Sequence, residues 1–299
     1  METVLKTIGL TKSYGKQKAV DGVSIEVRKG DIYGFVGKNG AGKTTFIRLV
    51  LGLARADSGS VELFPGEEPM LARRRTGSLV ESPALYTNMT ARENLEMCCT
   101  IIGADKSQAD DILELTGLSG TGRKKAGNFS LGMKQRLGIG MALVGDPELL
   151  ILDEPINGLD PTGIAEIREL LLRLRNERGK TIFISSHILG ELEKISTRYG
   201  IISRGRLAEE LTAEELKKRC GLTTILKTDD PAGAAEIIRR VLCSDKVEAR
   251  KNGIVAVSAE IKNIGELTNA LYGVGITVTE INTSDSDAEN YFIRKMEEG

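Results

Sequence analysis

No apolar run in this 299-residue chain reaches the roughly 18 residues that a membrane-crossing helix needs; the longest, around 49–54 and 149–152, stop well short. The chain is therefore not expected to span a membrane with helices of its own. A signal-peptide pattern is missing too. Met1-Glu2-Thr3-Val4-Leu5-Lys6 has no basic segment leading into an apolar one, so export is not expected. Charge of one sign is not in excess. The 41 basic and 42 acidic residues leave a formal net charge of -1. A protein whose main partner is nucleic acid usually carries a basic surplus on one face, so no nucleic acid is expected here. Cysteine is sparse. Cys98, Cys99, Cys220 and Cys243 show no metal-ligand spacing, and a scattered handful suits ordinary thiols in a reducing compartment. Internal repeats and low-complexity segments are absent as well.

What is present suffices for a core. Apolar residues make up 40% of the chain and charged residues 28%, and the length suits one large domain plus a smaller one. Residues 4–10, 23–27 and 32–36 read as strands, with Lys29-Gly30-Asp31 as a turn. A glycine-rich loop follows, then an apolar-periodic helix over 43–53. From about 69 to 145 the pattern is helical, most plainly at 90–102 and 106–118. It predicts a helical subdomain, set at about 82–145, inserted into an α/β core. Residues 149–152 read as a buried strand. Asp160 is placed to N-cap the next helix, with Pro161 at its first position. That helix runs to about 178, and a strand follows at 181–185. Strands alternating with helices predict a parallel sheet. Near 218 the character changes. Residues 219–299 read as strand 223–227, helix 232–242, paired strands 247–250 and 254–257, helix 264–271, strand 276–281 and helix 285–296. The reading is thus a main domain over 1–218 and a small accessory α+β domain over 219–299.

Gly37-Lys38-Asn39-Gly40-Ala41-Gly42-Lys43-Thr44 fits the pattern G-x-x-x-x-G-K-[ST] between a strand and a helix. Glycines allow a tight turn that aims backbone N–H groups at phosphates, and the helix adds its positive dipole end. Lys43 is expected to reach the β- and γ-phosphates, and Thr44 to offer its hydroxyl to Mg²⁺. Leu149-Leu150-Ile151-Leu152-Asp153-Glu154 is an apolar strand ending in two carboxylates. Such a strand delivers Asp153 to the metal and leaves Glu154 beside the γ-phosphate, where it can orient or deprotonate the attacking water. These two motifs establish a P-loop NTPase and no more.

Phe129-Ser130-Leu131-Gly132-Met133-Lys134-Gln135-Arg136 narrows the class. It resembles the signature motif of the ABC ATPases, read L-S-G-G-Q and then basic. Ser130 and Gly132 match, while Leu131 and Met133 depart. Asn157-Gly158-Leu159-Asp160 follows the acidic pair as that family's D-loop does. Ser185-Ser186-His187 follows the next strand, and His187 is the one histidine in the chain. The family places its switch histidine there, against the γ-phosphate. Tyr14 precedes the second strand, in a loop where the family stacks an aromatic ring on adenine. In Gly77-Ser78-Leu79-Val80-Glu81-Ser82-Pro83-Ala84-Leu85-Tyr86, Glu81 stands where the family has, after a strand that follows the first core helices, a glutamine that contacts Mg²⁺ and water. That substitution, together with the altered signature, is similar to the ATPases of bacitracin export and lantibiotic self-immunity.

The resemblance spans 1 to about 218. It implies a RecA-like P-loop core with an inserted helical subdomain. It also implies ATP and Mg²⁺ as cofactors, bound between the glycine loop of one copy and the signature motif of another. The nucleotide-binding set is then Tyr14, Gly37, Asn39, Gly40, Ala41, Gly42, Lys43, Thr44, Thr45, Ser130, Gly132 and Asp160. The metal set is Thr44, Glu81 and Asp153, and the catalytic pair is Glu154 and His187. The implied function is an ATP-hydrolysing, dimerising subunit that drives separate transmembrane permease subunits from the cytoplasmic face of the cell membrane. The implied cargo is a peptide antibiotic or a similar amphipathic compound. The alternative is a soluble ABC ATPase acting on ribosomes or DNA. Its ribosomal members usually hold two cassettes in one chain and its DNA-repair members long coiled coils; this chain shows neither. A phosphotransferase reading leaves Ser130 and His187 unexplained.

Overall fold

The computed structural model describes residues 2–220, 223–250, 252–257, 261, 263–284 and 288–298. β1 (Thr3–Tyr14) and β2 (Gln17–Arg28) form an antiparallel hairpin in which Tyr14 faces Gln17 across a two-residue turn. Tyr14 is thus the last residue of a strand, not part of a free loop. β3 (Ile32–Val36) is buried at all five positions and leads through the glycine loop into α1 (Lys43–Val50). α1 stops short of 53 because Leu51 caps it and Gly52 takes a φ of +71, a left-handed conformation that ends helices. β4 (Ser58–Leu63) pairs with the other edge of β1, giving the sheet order β2-β1-β4.

The segment expected to be helical over 69–145 contains α2 (Pro69–Arg74), α3 (Ala91–Ile102), α4 (Gln108–Leu115) and α5 (Leu131–Leu143). It also contains a strand, β5 (Thr76–Leu79), which runs parallel to β6 (Leu149–Asp153) with Thr76 opposite Leu149. Four residues are too few to show an alternation. Gly77 is there for clearance: a Cβ on it would lie 1.9 Å from the Ala142 carbonyl oxygen.

α6 (Pro161–Asn176) begins as expected, with Asp160 Oδ1 accepting from the Gly163 N–H at 3.0 Å and Pro161 at the first helical position. β7 (Thr181–Ser186), α7 (Leu189–Glu193), β8 (Arg198–Ser203) and β9 (Arg206–Thr212) follow. The six-stranded sheet has the order β5-β6-β7-β3-β8-β9, parallel from β5 to β8. Phe35 on β3, Phe46 on α1 and Phe183 on β7 pack with ring centroids 4.8 to 5.9 Å apart. This aromatic cluster fixes the strand, the loop-bearing helix and the neighbouring strand as one body, so the glycine loop hangs from a rigid frame.

The chain divides into two compact units, Met1–Leu211 with Lys295–Gly299, and Thr212–Arg294. The division falls earlier than 218 because a helix starts there. The Thr212 N–H donates to Glu215 Oε2 at 2.7 Å and the Glu215 N–H to Thr212 Oγ1 at 3.2 Å, a capping box that opens α8 (Ala213–Cys220). The last residues return to the first unit, where Ser203 Oγ donates to the Met296 carbonyl at 2.7 Å. The second unit continues through β10 (Thr223–Thr228), α9 (Pro231–Leu242), β11 (Val247–Arg250), β12 (Ile254–Val257), α10 (Ile264–Tyr272), β13 (Val278–Ser284) and most of α11 (Ala288–Glu298). Its antiparallel sheet has the order β11-β12-β10-β13, over a core that includes Leu226, Ile238, Val255 and Leu271. β13 starts later than 276 because the Ile276 N–H is spent on the Leu271 carbonyl at the end of α10. The expected helix start at 285 lies outside the described residues.

Candidate functional site

Gly42 immediately precedes α1 with a φ of +110, and a Cβ on it would lie 2.3 Å from the Ala19 carbonyl oxygen. Only glycine fits both demands. The first helical bond of α1 runs from the Phe46 N–H to the Gly42 carbonyl at 2.9 Å. The amides of the first turn ahead of it therefore have no partner within the helix, and they lie where the positive end of the helix dipole adds to them. This is a ready site for an anion.

Lys43 is 5% exposed. Its ammonium donates to the Gly37 carbonyl at 2.6 Å and the Lys38 carbonyl at 3.2 Å, and it sits 3.1 Å from Glu154 Oε1. The pocket is thus built to surround a buried cation with oxygens, the class of acceptor that a phosphate supplies. Glu154 follows β6 with a φ of +49, a conformation that is strained for a glutamate. Ser185, at the end of β7, ties the two acids together. Its hydroxyl donates to Asp153 Oδ1 at 2.6 Å and accepts from the Glu154 N–H at 2.9 Å. His187 Nδ1 is 2.8 Å from Glu154 Oε2. Lysine, glutamate and histidine therefore form a continuous polar line, with a buried aspartate one residue away.

A cleft of about 640 Å³ opens over this line. Of the expected site residues, Tyr14, Asn39, Gly40, Gly42, Lys43, Thr44, Thr45 and Glu154 line it. Gly37 and Ala41 belong to the same loop. His187 meets the cleft through Glu154, and Asp153 is buried behind it at 1% exposure. Ser130, Gly132, Asp160 and Glu81 do not line it. Ser130 caps α5, its Oγ accepting from the Met133 N–H at 3.3 Å. A Cβ on Gly132 would meet Leu159 and Gly163, and one on Gly158 would meet Leu131. The signature segment and the later part of the D-loop segment, Gly158 to Asp160, therefore pack together at the N-terminal ends of α5 and α6, and none of these residues lines the cleft. Glu81, with a φ of +60, is paired with Arg48 on α1, so its carboxylate is engaged outside the cleft.

Gln17, Lys18, Ala19, Asn157, Arg204 and Gly205 also line the cleft, and sequence reasoning did not assign them. Asn157 lies inside the quoted D-loop segment. The first three follow Tyr14 across its hairpin turn. Arg204-Gly205 is a two-residue turn between β8 and β9, a pattern that can be read as a hairpin, but nothing local says that the turn faces the glycine loop.

Comparison with known proteins bears on the family and the fold. A family model described as ABC transporter matches residues 20–157. The chain is 47% identical, over 299 aligned residues, to the bacitracin transport ATP-binding protein BcrA of Bacillus licheniformis, which covers 98% of this chain and 97% of that protein. It is 43% identical over 208 residues to the lantibiotic transport ATP-binding protein SrtF of Streptococcus pyogenes, covering 69% of this chain and 90% of that protein. Among solved structures it resembles a nucleotide-free ATP-binding cassette from an ABC transporter. That likeness has a TM-score of 0.66 at 30% identity, over 73% of this chain and 94% of the other.

Proposed function

The chain belongs to the family of ABC transporter ATP-binding proteins, and from that premise we propose that it completes its ATP site with a second copy of itself and drives separate transmembrane permease subunits. It is an ATPase subunit of an ABC transporter. The observation that carries the two-copy reading is the separation of its motifs. The glycine loop, Tyr14, Glu154 and Asn157 share one cleft, while Ser130, Gly132 and the stretch from Gly158 to Asp160 gather at another place. A γ-phosphate held by Lys43 in one copy would then meet Ser130 and the α5 N-terminus of the other. The soluble alternative, acting on ribosomes or DNA, gains nothing from relatives whose names describe transport.

Within the site, Lys43 and the loop amides bind the phosphates, and Tyr14 stacks on the adenine. Glu154 orients the attacking water and takes its proton. His187 holds Glu154 through Nδ1, and Ser185 sets the directions of both acids. The donor types fit Mg²⁺: Thr44 lines the cleft and carries a hydroxyl, and Asp153 is bonded through one oxygen only to Ser185. A hydroxyl and a carboxylate suit a hard cation that keeps several waters. When bound, the ion would neutralise charge on the phosphates. Glu81, paired with Arg48, is read as a residue that touches Mg²⁺ when the nucleotide is bound and passes that state toward the permease. Glu81→Ala should lower ATP turnover by less than about tenfold, far below the loss of a base, while largely abolishing transport-dependent resistance in cells that hold the permease. A turnover loss as deep as that of Glu154→Gln would make Glu81 catalytic.

Among the described residues no helix is long and apolar enough to cross a membrane; from its family the chain is read as a peripheral subunit at the cytoplasmic face, with spans supplied by the permease. The names of the two relatives support a peptide antibiotic or similar amphipathic compound as cargo. Mixing tests the shared site. Lys43→Ala chains and Ser130→Ala chains, each nearly inactive alone, should regain hydrolysis when combined. One of the two sites in a mixed dimer then holds an intact Lys43 and an intact Ser130. No regain on mixing would overturn the two-copy site.

A further inference from the structure

We propose that Arg204, in the turn between β8 and β9, is a further nucleotide-binding residue that contacts the polyphosphate chain; this rests on the reading of the cleft as an ATP site. Arg204 has a φ of +47 and Gly205 a φ of +82. Left-handed backbone is ordinary for glycine but strained for arginine, so the turn holds a charged residue where asparagine or glycine would sit more easily. The turn is tightly placed. The Gly205 N–H donates to the Ala41 carbonyl of the glycine loop at 2.9 Å, and the Gly205 carbonyl accepts from the Asp21 N–H at 2.8 Å. A Cβ on Gly205 would lie 2.9 Å from the Ala19 oxygen. Arg204 therefore rides on a turn bonded directly to the phosphate loop.

Charge gives the second observation. The lysines that line the cleft and the recess beside it, and the neighbouring Arg206, are already matched to carboxylates. Lys18 and Arg206 pair with Asp21 at 2.8 and 2.7 Å, Lys43 with Glu154 at 3.1 Å and Lys38 with Glu297 at 3.5 Å. Arg204 is exposed and lines the 640 Å³ cleft together with Lys43 and Thr44. It also lines a recess of about 290 Å³ with Lys38, Asn39, Gly40 and Glu297, whose carboxylate is the one paired with Lys38. Among the described residues no carboxylate pairs with it. An uncommitted guanidinium beside a phosphate loop is matched by a ligand that brings several negative charges, and a guanidinium binds phosphate oxygens in a fixed fork geometry.

Arg204→Asn removes the cation and suits the left-handed turn, since asparagine is enriched there. ATP, ADP and AMP are titrated against wild-type and variant full-length chains. The loss should grow with the number of phosphates and reach about five- to tenfold for ATP, a charge-assisted contact discounted for solvent exposure. Arg204→Lys should regain part of it. The ATP affinity of the variant should also depend less steeply on salt than that of the wild type. Unchanged ATP affinity in the variant, or an equal loss for all three nucleotides, would overturn the assignment, the latter by showing a structural role for the turn. If wild-type protein itself bound no ATP, the reading of the cleft would fail instead.

Discussion

Glu154→Gln is expected to leave ATP binding intact and to slow hydrolysis by about two to four orders of magnitude, the usual share of a positioned base. The geometry makes the substitution a clean one. The backbone of Glu154 is held by Ser185, whose hydroxyl and carbonyl both accept from its N–H, at 2.9 and 3.2 Å. That grip does not depend on the side chain. Glutamine has the shape to keep the contact with His187, now 2.8 Å from Glu154 Oε2, but it cannot take a proton from water. The residues that bind phosphate are untouched: Lys43, Thr44 and the amides at the start of α1. Nucleotide titration and single-turnover phosphate release, measured on the same preparation, separate the two effects. Near-normal turnover in the variant would place the base elsewhere.

Lys43→Ala should lose ATP affinity by about two orders of magnitude, in line with a charge-assisted contact to phosphate in a buried setting. Lys43 is almost fully buried, and its three oxygen neighbours come from the glycine loop and Glu154. Phosphate oxygens replace those neighbours in kind, so removing the ammonium removes the main positive charge at the bottom of the cleft. It also leaves the half-buried Glu154 without its cation, which lowers stability. The urea midpoint of the variant therefore has to be measured beside its ATP affinity. A folded variant that binds ATP like the wild type would contradict the assignment of Lys43.

The parts of the site that were legible in the sequence are those that backbone chemistry dictates locally. Gly42 must accept a φ of +110 beside the Ala19 carbonyl, so the glycine loop can be read from spacing alone. Asp160-Pro161 announces a helix start for the same reason. The missed parts depend on contacts between distant segments. β5 is four residues whose strand character comes from pairing with β6, so the residue pattern alone reads that stretch as helical and only the family resemblance implies a strand there. Arg204 reaches the cleft because β8 lies beside β3 in the sheet, which no local pattern reveals. The return of Met296 to Ser203 closes a span of 93 residues and moves the end of the chain into the first unit. Glu81 combines the two. Its place in the sequence suggests the metal, and the fold adds a partner, Arg48, that no local pattern reveals.

The central claim is that ATP joins two copies of this chain, because each copy keeps its signature segment apart from its own cleft. The most direct measurement is the solution mass of the Glu154→Gln chain by size-exclusion chromatography with light scattering, with and without Mg²⁺ and ATP. Slow hydrolysis should trap the bound nucleotide, and the account predicts twice the monomer mass with ATP, with a return to monomer when Ser130 is also changed to alanine. A chain that binds ATP stoichiometrically and stays monomeric at every protein concentration tested would contradict it.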